Sequence, residues 1–161
     1  CGSLPVYIVP FTDIQLEINR KCPNEQLTII MRRMMMYIAN EIADQTGSLA
    51  LVTGESIGQV ASQTMQSLVV TDDASEIPVF RPLIGMDKEE ITKIAREIGT
   101  FETSILPYED CCTVFTPKHP NTRPSLDKIK KSESMLDTDS LVKAAVQGVE
   151  RIVLKRENSW T

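Results

Sequence analysis

Residues 49–68 read Leu-Ala-Leu-Val-Thr-Gly-Glu-Ser-Ile-Gly-Gln-Val-Ala-Ser-Gln-Thr-Met-Gln-Ser-Leu. The first five residues form a short β-favouring run that is apolar on both sides, which is typical of a strand inside a parallel sheet. Gly54 then permits a tight turn, and Ser56 with Gln59 matches a helix capping box. The stretch therefore predicts a strand, a turn and a helix that continues to Leu68. The inward face of that helix would be Ile57, Ala61, Met65 and Leu68.

The other face of this predicted helix is polar, yet it carries no charge between Ile57 and Val70. A strand that leads through glycine into a helix N-terminus is also where open α/β sheets bind anionic ligands, because free N–H groups and the helix dipole converge there. An ordinary polar surface explains the same pattern. From the spacing alone, both interpretations stay open.

The rest of the chain alternates predicted strands and helices, which indicates a doubly wound, mostly parallel α/β sheet with flanking helices. Thr12 or Asp13 would cap the first helix, whose inward residues are Ile14 and Ile18. Before that helix we predict a strand at Val6–Phe11, and after it a long helix from about Glu25 to Gln45 that ends at Gly47. After the central stretch come an extended segment at 77–83 and a helix at Lys88–Ile98, whose inward residues would be Ile91, Ile94, Ala95 and Ile98. The last predicted elements are helices near Ser125–Glu133 and Ser140–Val149 and a short tail at Arg151–Leu154.

Two arginines in the long helix differ in their helical phase. Arg33 lines up with polar residues, which predicts a solvated face, whereas Arg32 lines up with Met36 and Ala39 and should be half-buried. A guanidinium at the edge of an apolar surface needs an anionic partner. That partner is either a carboxylate of the protein or a phosphate ligand, and the sequence leaves the two about even.

Composition excludes several classes of protein. The chain has 161 residues, enough for one domain or most of one, and its net charge of −5 argues against a self-sufficient nucleic-acid binder. No apolar run approaches the length of a membrane span. We therefore expect no contact with a membrane. The four cysteines and the single histidine lack metal-ligand spacing, so we expect no metal site. The cysteines also lack the density of a secreted disulfide scaffold, so we expect a reducing, cytoplasmic environment.

Cys111 and Cys112 form the one candidate nucleophile with a distinctive setting, inside a proline-rich segment at 107–124. Loops of this length in a compact domain are usually functional or mobile. The neighbouring Glu109 and Asp110 would raise the pKa of a thiol, and reactivity requires the thiolate. Two small buried hydrophobic residues are an equally good interpretation of the pair.

Four blocks of the sequence, in this order, closely resemble the ThiI family of tRNA uracil 4-sulfurtransferases. They are Met-Arg-Arg-Met-Met-Met at 31–36, Thr-Gly-Glu-Ser-Ile-Gly-Gln-Val-Ala-Ser-Gln at 53–63, Arg-Pro-Leu at 81–83 and Pro-Tyr-Glu-Asp-Cys-Cys-Thr-Val-Phe at 107–115. The resemblance, which runs from about Val6 to Leu154, implies a Rossmann-like adenine-nucleotide α-hydrolase domain of the PP-loop type. The family's Ser-Gly-Gly-x-Asp-Ser loop and its ferredoxin-like and THUMP domains are not in residues 1–161. We therefore expect the C-terminal portion of the catalytic domain, in the short form without a rhodanese-like domain.

The resemblance also implies the chemistry. ATP, with Mg²⁺, would adenylate O4 of uridine 8 in tRNA, and a cysteine desulfurase would supply persulfide sulfur to give 4-thiouridine. A related transfer to the sulfur carrier ThiS would serve thiazole synthesis for thiamine, and the protein could be a homodimer.

The family's functional residues fall on four positions of this chain. The ATP contacts fall on Arg32, Gly54 and Gln63, and the sulfur-handling cysteine falls on Cys112, while Cys111 has no family role. In members with a rhodanese-like domain, that cysteine forms a disulfide with the one there. The alternatives are another PP-loop ATP pyrophosphatase, although those typically carry Cys-x-x-Cys pairs that this chain lacks, or a non-catalytic interaction fragment.

Overall fold

A computed structural model describes residues 2–57, 63–108 and 121–155 of the chain. The helices in these residues are α1 (Thr12–Lys21), α2 (Leu27–Thr46), α3 (Met65–Asp72), α4 (Lys88–Glu97), α5 (Phe101–Ser104), α6 (Leu126–Glu133) and α7 (Thr138–Gln147). The strands are β1 (Ser3–Ile8), β2 (Leu51–Val52), β3 (Val79–Phe80) and β4 (Glu150–Lys155). No helix in these ranges is long and apolar enough to cross a membrane.

The long helix α2 is the centre of the fold, as the periodicity of its apolar residues predicts. It follows a 3₁₀ turn at Asn24–Gln26 and ends at Gly47, whose φ of 67° is the left-handed conformation that favours glycine at a helix C-terminus. Helices α1, α3, α6 and α7 all pack against it. The fully buried core around α2 includes Ile14, Ile18, Leu27, Ile30, Met31, Met34, Val70 and Ile129. The expected inward positions of Ile14 and Ile18 are thereby confirmed.

The described strands form two two-stranded sheets, one of each pairing type. Strands β2 and β3 are parallel, with Leu51 opposite Val79, as expected for an α/β domain. Strands β1 and β4 are antiparallel, with Ser3 opposite Lys155. The α/β class is confirmed, but the predicted first strand was placed too late. β1 ends at Ile8, two residues before Pro10, and Arg151–Leu154 is part of strand β4 and not a mere tail.

Three local predictions around the central stretch were wrong. The interior strand at Leu49–Thr53 is exposed in this chain, where Leu49 keeps 86% and Val52 70% of its accessible surface. The following helix begins at Met65, capped by Thr64, because Ser56 is engaged in a tertiary contact and is not helical. Of the predicted inward residues, Leu68 is buried as expected, whereas Met65 and Ile57 are exposed, and the helix also buries Ser67, Val70 and Thr71. Gln59 and Ala61 lie outside the described residues.

Helix α4 begins where the sequence predicts, because Asp87 and Glu90 form a reciprocal capping box. Its apolar face is only partly covered by the rest of the chain. Ile91, Ile94 and Ala95 are half-buried, and Ile98 is exposed, contrary to its predicted inward position. The described residues thus leave the α4 face and the β2–β3 sheet less covered than the core around α2.

Candidate functional site

The segment Thr53–Ile57 leaves the carboxyl end of β2 and is held in place by the last residue of β3 and by residues that follow that strand. The Thr53 N–H donates to the Phe80 carbonyl at 3.0 Å, and the Ile57 N–H donates to the Ile84 carbonyl at 3.1 Å. The Ser56 hydroxyl donates to the Met86 carbonyl at 2.7 Å. The turn after β2 is therefore a fixed structure, at the edge of a parallel pair where α/β proteins place their ligands.

Arg32 reaches this turn from α2. Its guanidinium forms an ion pair with Glu55, and the two side chains keep only 16% and 12% of their accessible surface. The half-buried position expected for Arg32 is confirmed, and its carboxylate partner comes from the segment that contains Gly54. The ion pair therefore fixes the arginine beside the turn.

Glu55 serves a second arginine at the same time. Arg81 Nε donates to Glu55 Oε2 at 2.7 Å, and the Thr53 hydroxyl donates to the same oxygen at 2.9 Å. Arg81 is itself anchored by an ion pair with Asp72 at the end of α3. One carboxylate thus lies between two guanidinium groups, and with Asp72 the cluster contains two positive and two negative side chains.

Gln63 also contacts this segment. Its side-chain oxygen accepts a hydrogen bond from the Ser56 N–H at 2.9 Å. Gln63 precedes Thr64, the residue that caps α3. The structure therefore places Arg32 of α2 and Gln63, which precedes α3, against the five residues that follow β2, among which is Gly54.

Gly54 lies within this segment, and the described residues leave space beside it. A Cβ added at Gly54 would meet no atom of the described residues within 4 Å, and the φ angle of Gly54 is not in the left-handed range. The backbone conformation at Gly54 and the described atoms around it therefore do not by themselves require a glycine. The hypothesis of an anionic ligand at this turn requires a close approach to the backbone, which a glycine allows.

Cys111 and Cys112 lie outside the described residues. The first described residues after them are tied to the same region of the fold. The Asn121 N–H donates to the Glu25 carbonyl at 3.1 Å, and the Thr64 hydroxyl donates to the Thr122 carbonyl at 2.9 Å. The chain that follows the cysteine segment is thus hydrogen-bonded to Thr64, the residue after Gln63.

Arg33 is not on a solvated face, which corrects the prediction from helical phase. It is 1% exposed and contacts Glu133, Asp73, Tyr37 and the Val70 carbonyl. Burial lowers the pKa of Arg33, but the hydrogen bonds and negative charges of Glu133 and Asp73, together with Tyr37, raise it above its usual value. Burial and the hydrogen bond to Glu133 raise the pKa of Tyr37 to about 12. Lys130 and Arg33 lower the pKa of Asp73 by hydrogen bonding to its carboxylate. Arg33 therefore joins α2 to α3 and α6 and has a structural role.

Two other features complete the described surface. A groove of about 1200 Å³ lies between α2 and α7 and is lined by acidic residues such as Asp44 and Asp139, but none of Arg32, Gly54 and Gln63 lines it. Within the described ranges, no group of three or more His, Cys, Asp or Glu side chains is arranged to hold a metal ion. The turn after β2 remains the better candidate site.

The sequence analysis missed Glu55 and Arg81 as members of the site. Both lie in blocks that carry the family resemblance, at 53–63 and 81–83. The signal was present, because Glu55 is the one charged residue in residues 45–71, and a lone charge at the end of an apolar strand needs a partner. Sequence alone did not show that its partners would be Arg32 and Arg81.

Comparison with known proteins gives consistent results. The chain is 64% identical over 157 residues to a probable tRNA sulfurtransferase from Acetivibrio thermocellus, and this covers 98% of the chain and 40% of that relative. A probable tRNA sulfurtransferase from Clostridium acetobutylicum is 59% identical over 156 residues, which covers 97% of the chain and 41% of that relative. The chain therefore spans about 40% of the length of these curated relatives.

A solved 4-thiouridine synthetase, crystallised in complex with RNA and with bound ATP, has the same fold. The TM-score is 0.90 at 42% sequence identity, over 95% of this chain and 40% of the solved one. The family model described as thiamine biosynthesis protein (ThiI) matches residues 2–138. That match covers most of the chain, so the chain belongs to the ThiI family.

Proposed function

We propose that this chain is the C-terminal portion of a PP-loop-type adenylating domain, and that the complete protein uses ATP to transfer sulfur to tRNA. The observation that carries the proposal is the convergence of Arg32, Gly54 and Gln63 on the turn after β2. Arg32 is paired with Glu55, the residue after Gly54, and Gln63 is hydrogen-bonded to Ser56, the next residue along. These are the positions on which the family's ATP contacts fall.

The chemistry of this turn fits a nucleotide phosphate. The Arg32 guanidinium lies beside the turn and shares the charge of Glu55 with Arg81, and guanidinium groups bind phosphate through charged hydrogen bonds. The described residues leave space beside Gly54 for an anionic ligand to approach the backbone. Mg²⁺ would enter with the nucleotide, bound to its phosphates.

ATP would supply adenylation, which turns O4 of uridine 8 into a leaving group. Cys112 would handle the sulfur, which arrives as a persulfide from a cysteine desulfurase and leaves in 4-thiouridine, because a thiolate is the nucleophile in such exchanges. Transfer to the carrier ThiS for thiazole synthesis, a homodimer and a cytoplasmic location belong to the same proposal. The names of the relatives and the ATP and RNA in the solved synthetase support it.

Equilibrium binding of ATP to the full-length enzyme tests the site. We expect Arg32→Ala to weaken binding by roughly ten- to a hundredfold, the loss of a charged hydrogen bond worth about 1.5–3 kcal/mol. Arg20→Ala is the matched control, since Arg20 is an exposed arginine on α1 that pairs with Glu17. Equal affinities of the two variants would contradict the assignment.

The 161-residue chain should be measured beside the full-length enzyme. We expect the chain alone to bind ATP weakly and to be inactive, because the family's phosphate-binding loop is not in its sequence. ATP affinity equal to that of the full-length enzyme would show that residues 1–161 hold the whole nucleotide site and would contradict the proposed division of the domain.

A further inference from the structure

We propose that Glu55 is a positioning residue for the nucleotide site, which holds the Arg32 guanidinium beside the Gly54 turn in the arrangement that binds phosphate. This inference rests on the proposed function of Arg32. Glu55 itself would not touch the nucleotide and would act through the arginine.

The anchoring of Glu55 is the first argument. Its Oε2 atom accepts hydrogen bonds from Arg81 and from the Thr53 hydroxyl, while Oε1 is paired with Arg32. Each oxygen of the carboxylate therefore has its own set of donors, and the side chain is held in one rotamer. A side chain fixed in this way can orient a neighbouring long side chain, which otherwise has many rotamers.

The second argument concerns Arg81, whose own contacts hold its guanidinium in place. Its Nε atom donates to Glu55, its Nη2 atom is paired with Asp72 and its Nη1 atom faces the Val79 carbonyl at 3.5 Å. The ion pairs thus run in series from α3 through Arg81 and Glu55 to Arg32 on α2. This series connects the end of α3 to the arginine and makes its position depend on Glu55.

The third argument concerns charge, because a carboxylate beside a phosphate site could compete with the phosphate for the arginine. Glu55 shares its single negative charge between Arg32 and Arg81. The side chain of Asp72, the other carboxylate of the series, is 49% exposed, so solvent screens its charge. One carboxylate cannot fully neutralise two guanidinium groups, so Glu55 orients Arg32 without cancelling its charge.

A double-mutant cycle in the full-length enzyme tests this inference, with ATP affinity as the readout and urea unfolding to confirm that each variant folds. We expect Glu55→Gln and Glu55→Asp each to weaken ATP binding by roughly fivefold or more, typical of coupled residues in contact. Glutamine keeps the shape and loses the charge, whereas aspartate keeps the charge and loses the reach. In the Arg32→Ala background, the same substitutions should change ATP affinity by less than about twofold, because the residue through which Glu55 acts is gone.

Glu17→Gln is the matched control, since Glu17 also pairs with two cations, Arg20 and Lys21, but on α1. It should leave ATP affinity unchanged. Unchanged or tighter binding by Glu55→Gln, with weaker binding by Arg32→Ala, would overturn the positioning role while leaving the proposed function intact. Equal losses from Glu55→Gln in both backgrounds would also overturn it, because the effect would not pass through Arg32. Normal ATP affinity in Arg32→Ala would overturn the proposed site itself.

Discussion

Arg33 on α2 and Glu133 at the end of α6 form a two-point ion pair across 100 residues of sequence. Arg33 Nε donates to Glu133 Oε2 at 2.6 Å, and Nη2 donates to Oε1 at 3.2 Å. The same guanidinium donates to the Val70 carbonyl at 2.5 Å and to Asp73 at 3.1 Å. Three helices therefore meet at one buried cation, while the neighbouring Arg32 points to the turn after β2.

Arg33→Ala should destabilise the protein strongly. Removal of one partner leaves the Glu133 carboxylate buried without its cation, which costs about 3–5 kcal/mol. The free energy of unfolding in urea measures the effect. Arg20→Ala, which breaks an exposed pair, is the control and should lower the free energy of unfolding far less. A loss for Arg33→Ala as small as that of the control would contradict the structural role.

Arg33→Ala cannot then serve as a simple control for ATP binding. We still expect that the folded fraction of this variant binds ATP normally, because Arg33 is directed to Glu133 and away from the turn after β2. Binding measured under conditions that keep the variant folded would show this. A large loss of affinity in the folded variant would mean that both arginines contact the nucleotide.

Tyr37 should make the folding stability of the protein fall as the pH rises in the alkaline range. The pKa of its hydroxyl is raised to about 12, because the side chain is desolvated and donates a hydrogen bond to Glu133 at 2.7 Å. An unfolded tyrosine titrates near pH 10, so the folded state holds its proton longer than the unfolded state does between these values. This contribution to stability is full below about pH 10 and is lost as the pH rises towards 12.

Urea unfolding of the protein and of Tyr37→Phe from pH 8 to 11.5 measures this dependence. We expect the stability of the unsubstituted protein to fall by roughly 2 kcal/mol more than that of Tyr37→Phe over this range, from a shift of about two pKa units. Cys22, whose pKa burial raises to about 11, is present in both proteins and cancels in the difference. Parallel pH profiles would contradict the raised pKa of Tyr37.

Gly54→Ala separates a requirement of the ligand from a requirement of the fold. An added methyl group meets no described atom within 4 Å, so the free energy of unfolding should change by less than about 0.5 kcal/mol. If a nucleotide approaches the Gly54 backbone, the same methyl group should lower ATP affinity by roughly tenfold or more, the cost of an overpacked contact. Calorimetric binding to the full-length enzyme provides the second value. Unchanged ATP affinity in a normally stable variant would move the site away from Gly54.

The sequence predicted what local patterns determine. Helix α2, its end at Gly47 and the inward positions of Ile14 and Ile18 follow from periodicity and from the conformational freedom of glycine. The phase of Arg33 was misjudged because its partner Glu133 is 100 residues away, and a helical wheel contains no information about such contacts.

The start of α3 was misplaced for a similar reason. Ser56 has the right spacing for a cap, yet its hydroxyl is committed to the Met86 carbonyl, and Thr64 caps the helix. Thr64 is also bonded to Thr122, which is 58 residues away. At the candidate site, the residues were identified by resemblance, whereas the carboxylate that links Arg32 to Arg81 became apparent only from the fold.

Cys112→Ser in the full-length enzyme should abolish 4-thiouridine formation and leave ATP binding intact. Adenylation needs no thiol, whereas transfer of sulfur to the activated carbon needs a nucleophilic or resolving thiolate. Cys111→Ser should keep most of the activity, since no family role falls on that position. Thiolated tRNA and bound ATP, measured on the same preparations, separate the two steps.

Mass spectrometry after incubation with a desulfurase and cysteine locates the sulfur. If Cys112 carries the persulfide, its peptide gains about 32 Da, the mass of one sulfur atom. Cys22 is an internal control, because it is buried, donates to the Ser132 carbonyl and has a pKa of about 11, so it should gain nothing. The acidic Glu109 and Asp110 oppose thiolate formation at Cys112, so we expect its reactivity to depend on Lys118, Arg123 or the arriving tRNA and desulfurase. An adduct on Cys111 alone, or full thiolation of tRNA by Cys112→Ser, would transfer the sulfur-handling role away from Cys112.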